Sequence, residues 1–277
     1  MLNQLFPIKK PVIAMIHVGA LPGTPASHQS VDELAREALR EAQVLCDLGF
    51  DGLMIENMHD TPYLKGTVGP EIVAAMTVIA SRIKSEISLP LGIQILAGAN
   101  LEALAVAQAA SLEFIRVEGF TFAHVADEGL IESSAAQLLR YRRMIGAGRI
   151  QIWADIKKKH SAHAITADVS IGETAEAAEF MRADAVIVTG TATGHPPNPA
   201  DFAEVKRHCT LPVILGSGVT PENVEIFYSH ADALIVGSTL KHNGKWNHPI
   251  DSNRAAVFME KVYRQREDMC LEPDSEN

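Results

Sequence analysis

Short apolar runs alternate with longer amphipathic stretches along almost the whole chain. The apolar runs lie at 12–18 (VIAMIHV), 52–56 (GLMIE), 91–96 (LGIQIL), 113–117 (EFIRV), 150–156 (IQIWADI), 185–188 (AVIV), 212–215 (PVIL) and 233–236 (ALIV). Near-continuous apolar runs of this length predict strands of a parallel sheet that is covered on both faces. Helical periodicity occupies 31–48, 70–87, 101–110, 171–181, 200–207 and 251–266, and a short helical segment opens at Pro221. Ser30 with Glu33 three residues on predicts a capping box at the start of the first of these helices. The fourth strand is followed by a long excursion, EGFTFAHVADEGLIES, at 118–133.

Eight strands and eight helices in strict alternation predict an α/β fold, one (β/α)8 TIM barrel spanning 1–277, with 268–277 a frayed tail. Loops after strands are long and loops after helices are short, so one rim of the barrel is expected to carry function. The excursion at 118–133 and the loop at 157–170 are candidate lids.

Composition narrows the setting. The chain has 277 residues, 47% hydrophobic and 21% charged, with a net charge of −10, enough apolar mass for a large core. No basic run exceeds Lys157-Lys158-Lys159, which argues against a nucleic-acid partner. Anionic small molecules stay open as partners, because a nest of backbone amides binds anions without a positive protein. Cys46, Cys209 and Cys270 form no CxxC pair and suggest a reducing compartment. There is no transmembrane stretch, and the first strand starts too early to leave room for a cleaved signal. Cytoplasm is therefore the expected location. An organelle and assembly into a homo-oligomer both stay open.

The densest ligand signal is in 211–241. Strand seven ends in Gly216-Ser217-Gly218 and strand eight in Gly237-Ser238, each expected to feed a helix. Small residues there would offer backbone amides and helix N-termini to a phosphate. In a (β/α)8 barrel the phosphate site lies after these two strands.

The remaining strand ends supply candidate chemistry. His17 suits proton transfer or ligand contact. Glu56, a buried carboxylate, needs a cation, a metal or a substrate hydroxyl, and Asn57 beside it could orient substrate. Arg116 and Glu118 share a face by the strand period of two, so Glu118 could orient substrate, pair with Arg116 or anchor the excursion that follows, and an ion pair with Arg116 is the structural outcome expected. By the same period Asp155 and Lys157 share a face, and Lys157 could be a proton donor, a phosphate ligand or a Schiff-base amine. The alternative is a structural ion pair with solvated lysines beside it. On the functional reading Asp155→Asn and Lys157→Ala leave folding intact. His160 is a further acid–base candidate. Thr189 and Thr191, in the hydroxylic segment TGTATG at 189–194, could cradle an anion or only let the chain turn. No HxH, HExxH or CxxC motif is present. Glu56, Glu118 and Asp155 could still hold a divalent cation, with His17 as a fourth ligand.

The segments PVIAMIHVGALPGTP, GLMIEN, DEGLI, DIKKKHSAHA, TGTATG and LGSGVTPENV, in that order over about residues 11–240, resemble the BtpA/SgcQ family. The resemblance implies a phosphate-binding TIM barrel. It also implies relatives mostly without an assigned reaction, and a cyanobacterial namesake tied to photosystem I at the thylakoid membrane. That family commonly ends strand three in an Arg-Asn-Asp-like segment. This chain has Leu96-Ala97-Gly98-Ala99-Asn100, which leaves any ligand contact there to Asn100.

Two functions fit these residues. One is an enzyme, a lyase, isomerase or glycosyl-bond hydrolase, acting on a phosphorylated small molecule such as a sugar phosphate or nucleotide-like compound. The other is a non-catalytic accessory or assembly factor, which would need a large exposed apolar or basic surface.

Overall fold

The computed structural model describes residues 2–190 and 197–271, without the side chains of Cys270 and Leu271. A short helix α1 (Leu2–Leu5) precedes the first strand, β1 (Val12–His17). The chain then runs α2 (Val31–Asp47), β2 (Gly52–Glu56), α3 (Pro70–Glu86), β3 (Leu91–Gln94), α4 (Asn100–Ala109) and β4 (Phe114–Val117). The excursion folds as a hairpin of β5 (His124–Ala126) and β6 (Gly129–Ile131), leading into α5 (Ala135–Met144). After it come β7 (Gln151–Ile156), α6 (Ile171–Phe180), β8 (Ala185–Val188), α7 (Pro199–His208), β9 (Val213–Leu215), α8 (Val224–His230), β10 (Ala233–Val236) and α9 (Ser252–Leu271).

Eight of these strands close into a parallel barrel in the order β1-β10-β9-β8-β7-β4-β3-β2, the TIM-barrel topology expected from the alternation. The predicted strands agree with the observed ones to within two residues. The capping box forms as the Ser30/Glu33 spacing predicts, and Ser170 with Glu173 makes another at α6. The last helix continues through Leu271, four residues into the stretch expected to fray; 272–277 lie outside the described residues. Strand eight does not feed a helix directly: β10 is followed by two 3-10 turns, Ser238–Leu240 and His242–Gly244, before α9.

Side chains pointing into the barrel follow the period of two. The lower layers are apolar: Ile13 and Met15, Met54, Phe114, Trp153, Ile187, Ile214 and Ile235 pack together with Leu2 and Phe6 of the N-terminal segment. Phe114 and Trp153 stack with ring centroids 3.7 Å apart. One step up each strand the inward positions change character to His17, Glu56, Gln94, Arg116 and Asp155, and then Thr189, Gly216 and Gly237. A plugged base below and a polar layer above leave the C-terminal rim as the open end. Among the described residues no helix is long and apolar enough to cross a membrane.

Candidate active site

His17, Glu56, Gln94 and Arg116 of the polar layer floor a cavity of about 450 Å³, which Asp155 and Thr189 do not line. Its walls come from the loops after β9 and β10, the loop after β7, the tip of the β5–β6 hairpin (Asp127, Glu128) and Trp246. The two candidate lids meet each other: Val125 and Ala162 exchange backbone hydrogen bonds of 3.1 and 2.7 Å.

At one end of the cavity are Gly216, Ser217, Gly218, Gly237 and Ser238, as the small-residue pattern predicts. The chain needs glycine at two of these positions. A Cβ on Gly216 would sit 2.4 Å from Ile187 Cγ2, and Gly218 has φ +79°, a backbone region that side chains disfavour. Backbone amides of Ser217, Gly218, Ser238 and Thr239 donate to no group among the described residues. The Ser217 hydroxyl accepts a 3.1 Å hydrogen bond from the Gly190 amide. Arg254, on the first turn of α9, also lines this end, and its Nε donates to the Thr239 carbonyl at 3.0 Å. A guanidinium beside unpaired amides is a strong anion site. The grip rests on loop amides and Arg254; helix dipoles add little, since β10 feeds only short 3-10 turns and α8 is short.

Across the cavity floor the charges are paired in an unexpected way. Arg116 does not pair with Glu118. Its Nε and a terminal nitrogen form a bidentate pair with the Asp155 carboxylate at 2.8 and 2.9 Å, with side chains only 8% and 1% exposed. Burial opposes the guanidinium charge, but Asp155, with Glu56 and Glu118 farther off, outweighs it and keeps Arg116 ionised. Glu118 instead takes the Lys158 ammonium at 2.9 Å and a 3.1 Å hydrogen bond from Gln94 Nε2. The Gln94 carbonyl oxygen is buried without a partner, and Gln94 lines the cavity.

Glu56 and His17 face each other, with 3.8 Å between Oε2 and Nε2. Burial pushes the Glu56 carboxyl upward, against the pull of Arg116 and Lys159. Burial, helped by Lys241, pushes His17 down to about 3. The imidazole is therefore neutral. Its Nδ1 lies 2.8 Å from the Trp246 carbonyl, which assigns the proton to Nδ1 and leaves the Nε2 lone pair facing Glu56. A carboxyl whose protonated form burial favours and a neutral imidazole, held just beyond hydrogen-bond reach, fit a water or substrate hydroxyl between them.

Several predicted roles change. Lys157 does not share the face of Asp155 in the mouth. The strand stops at Ile156 and Lys157 takes φ +45°, so alternation ends, and its ammonium bonds the Thr166 carbonyl at 2.7 Å. Lys159 enters the cavity in its place. Its backbone amide is held by Thr189 Oγ1 at 2.9 Å, and its ammonium has no hydrogen bond or carboxylate within 4.0 Å among the described residues. His160 lines the cavity at φ +54°, its basicity lowered by burial and by Lys159 and Lys158. Asn57 turns inward to the loop, donating to Asp60 at 2.9 Å and accepting from the Leu96 amide at 2.8 Å. Asn100 ties Glu118 O to Ser134 Oγ and does not line the cavity. Thr191 lies outside the described residues. Among the described residues no three His, Cys, Asp or Glu side chains gather as a metal site. Two of the carboxylates that would have to supply one are paired with cations, Asp155 with Arg116 and Glu118 with Lys158. Arg254 carried no specific signal in the sequence, and Lys159 only its place in the dense ionisable cluster at 155–160.

This geometry can be set beside known proteins. Residues 8–264 match the model of the BtpA family. An uncharacterised mitochondrial protein of Caenorhabditis elegans is 45% identical over 95% of both chains. The photosystem I biogenesis protein BtpA of Synechocystis is 35% identical, covering 94% of this chain and 91% of its own. Among solved structures, thiamine phosphate pyrophosphorylase from Pyrococcus furiosus has a TM-score of 0.56 at 11% identity, over 92% of this chain and 96% of its own. That likeness speaks to the TIM-barrel fold. The matched length and the two relatives settle the family: this chain belongs to the BtpA family.

Proposed function

We propose that the protein is an enzyme acting on a phosphorylated small molecule, by acid–base chemistry at the C-terminal rim of the barrel. The observation that carries this reading is one cavity with two unlike ends. The amides of 217–218 and 238–239, unpaired among the described residues, form an anion grip with Arg254, and a buried ionisable layer lies opposite. The phosphate is held at the grip. Glu56 supplies a proton, His17 Nε2 accepts a hydrogen bond from a substrate hydroxyl, and Arg116 stabilises developing negative charge. Asp155 acts through Arg116, as the group that positions it. Fixed dipoles and charges in a water-poor site usually contribute more to rate acceleration than any other single effect. No step needs a metal ion, because Arg116 and Lys158 already neutralise Asp155 and Glu118.

Binding of inorganic phosphate or a sugar phosphate, followed by the fluorescence of Trp246 in the cavity wall, tests the grip. Wild-type protein binds, and Arg254→Ala weakens binding at least tenfold, an amount in keeping with the loss of a charge-assisted contact worth about 1.5–3 kcal/mol. Equal binding by both proteins would remove the assigned phosphate site. An assembly factor working through its outer surface would instead be indifferent to both Arg254 and Glu56.

A further inference from the structure

We propose that Lys159 is the catalytic amine of this site and forms an imine with an aldehyde or ketone carbon of the phosphorylated substrate. The proposal rests on the preceding reading and narrows its substrate class to phosphorylated carbonyl compounds.

Three features of the loop after β7 carry it. First, the backbone is bent to present this side chain. Lys157 and His160 both hold left-handed φ values, +45° and +54°, unusual for residues with a Cβ and concentrated at functional sites. The Lys159 amide is pinned to Thr189 between them. Second, Lys159 is the cation of the floor that is left over. Arg116 has Asp155 at 2.8 Å and Lys158 has Glu118 at 2.9 Å, while the Lys159 ammonium faces the cavity with no carboxylate within 4.0 Å among the described residues. Burial and the neighbouring Arg116 charge favour the neutral amine against the pull of Glu56, Asp155 and Glu118, and the neutral amine is the nucleophilic form. Third, it is not needed for the phosphate, which already has Arg254 and loop amides.

Glu56 completes the chemistry. The lone pair of the neutral Lys159 Nζ attacks the carbonyl carbon, and a C–N bond forms as the carbonyl π pair moves to oxygen. That oxygen takes the Glu56 proton, and one proton of the new ammonium returns to the Glu56 carboxylate. The nitrogen lone pair then expels the hydroxyl, which leaves as water with the Glu56 proton. The balance is amine, carbonyl and carboxylic acid giving iminium, water and carboxylate. No oxidant or second reactant is required. The iminium is an electron sink for bond cleavage or proton loss at the adjacent carbon.

Reductive trapping tests this. The full chain is incubated with dihydroxyacetone phosphate or glyceraldehyde 3-phosphate and cyanoborohydride, then mapped by peptide mass spectrometry. The expected result is one adduct per chain, on Lys159, suppressed by excess inorganic phosphate and absent from Lys159→Arg. That variant still binds inorganic phosphate, which shows that its fold and grip survive. In parallel, the Lys159 resonance of ¹³C-methylated protein titrates at lower pH than the exposed Lys9, Lys65 and Lys245. Adducts scattered over exposed lysines with neither probe enriched at 159, or a Lys159 titration that coincides with theirs, overturns the amine assignment. Either result in a protein that binds inorganic phosphate leaves the grip standing. Loss of phosphate binding in wild-type protein would instead strike the underlying reading.

Discussion

Replacing Asp155 with Asn keeps the side-chain shape and deletes one charge. In the folded protein the Arg116 guanidinium then keeps its burial, 8% exposed, but loses both short contacts to the carboxylate. Leaving one member of a buried pair alone costs about 3–5 kcal/mol. Glu56 and Glu118 also favour the Arg116 charge, which argues for the lower end, about 3 kcal/mol. At roughly 2–4 °C per kcal/mol for a chain of this size, Tm falls by about 6–12 °C. Urea unfolding followed by circular dichroism measures the loss directly, with an unchanged slope marking a change in stability and not in the unfolded state. A double variant, Arg116→Met with Asp155→Leu, removes both charges and recovers at least half of the loss. An Asp155→Asn protein within about 0.5 kcal/mol of wild type, the range of ordinary surface changes, would refute the pairing argument. It would also restore Asp155 as a free carboxylate available for base chemistry. The predicted loss of stability is the reverse of the intact folding expected when Asp155 is read from the sequence as a functional carboxylate.

Further outcomes follow from the same geometry. His17 is held near 3 in the fold against an ordinary value of 6.5, so below pH 6.5 the unfolded chain binds a proton that the folded chain refuses. Stability therefore falls as pH drops, and wild type loses about 2 kcal/mol more than His17→Asn between pH 7 and pH 5; equal losses in urea titrations would contradict the neutral imidazole. Lys157→Ala costs about 1 kcal/mol through its bond to Thr166 and leaves phosphate binding unchanged; a tenfold weaker affinity by calorimetry would return Lys157 to the site. Gly216→Ala drives a methyl against Ile187, lowering stability by about 1–3 kcal/mol and weakening inorganic phosphate binding. Normal stability and affinity in that variant would mean the loop has room that the structure does not show.

The barrel is legible in the sequence because its strands are buried on both faces and read as unbroken apolar runs. Glu56, His17 and the 216–218 and 237–238 loops are legible for a related reason: parity along a strand places every second residue inward up to the strand end. Past that end parity carries no information. The three consecutive lysines illustrate the limit, since the turn at φ +45° takes Lys157 out of the mouth while Lys158 and Lys159 line it. The pairing of Arg116 with Asp155, not Glu118, depends on which strands are neighbours, and β4 lies beside β7 only once the hairpin and α5 have looped out. The hairpin itself is three residues per strand, too short for a periodic signal. Arg254 sits on a helix beyond the last strand, and nothing near it in sequence marks it as a phosphate ligand. Asn57 and Asn100 look functional from their position, but the Leu96 amide that Asn57 accepts from, and the Glu118 carbonyl and Ser134 hydroxyl that Asn100 donates to, lie far along the chain.

Everything proposed for this site depends on one end of the rim holding a phosphate. A crystal structure of the protein soaked with glyceraldehyde 3-phosphate would show whether it does. The phosphorus is expected within hydrogen-bond reach of the 217–218 and 238–239 amides and Arg254, with the carbonyl carbon toward Lys159. A phosphate bound elsewhere, or a mouth still vacant at saturating ligand, would contradict it.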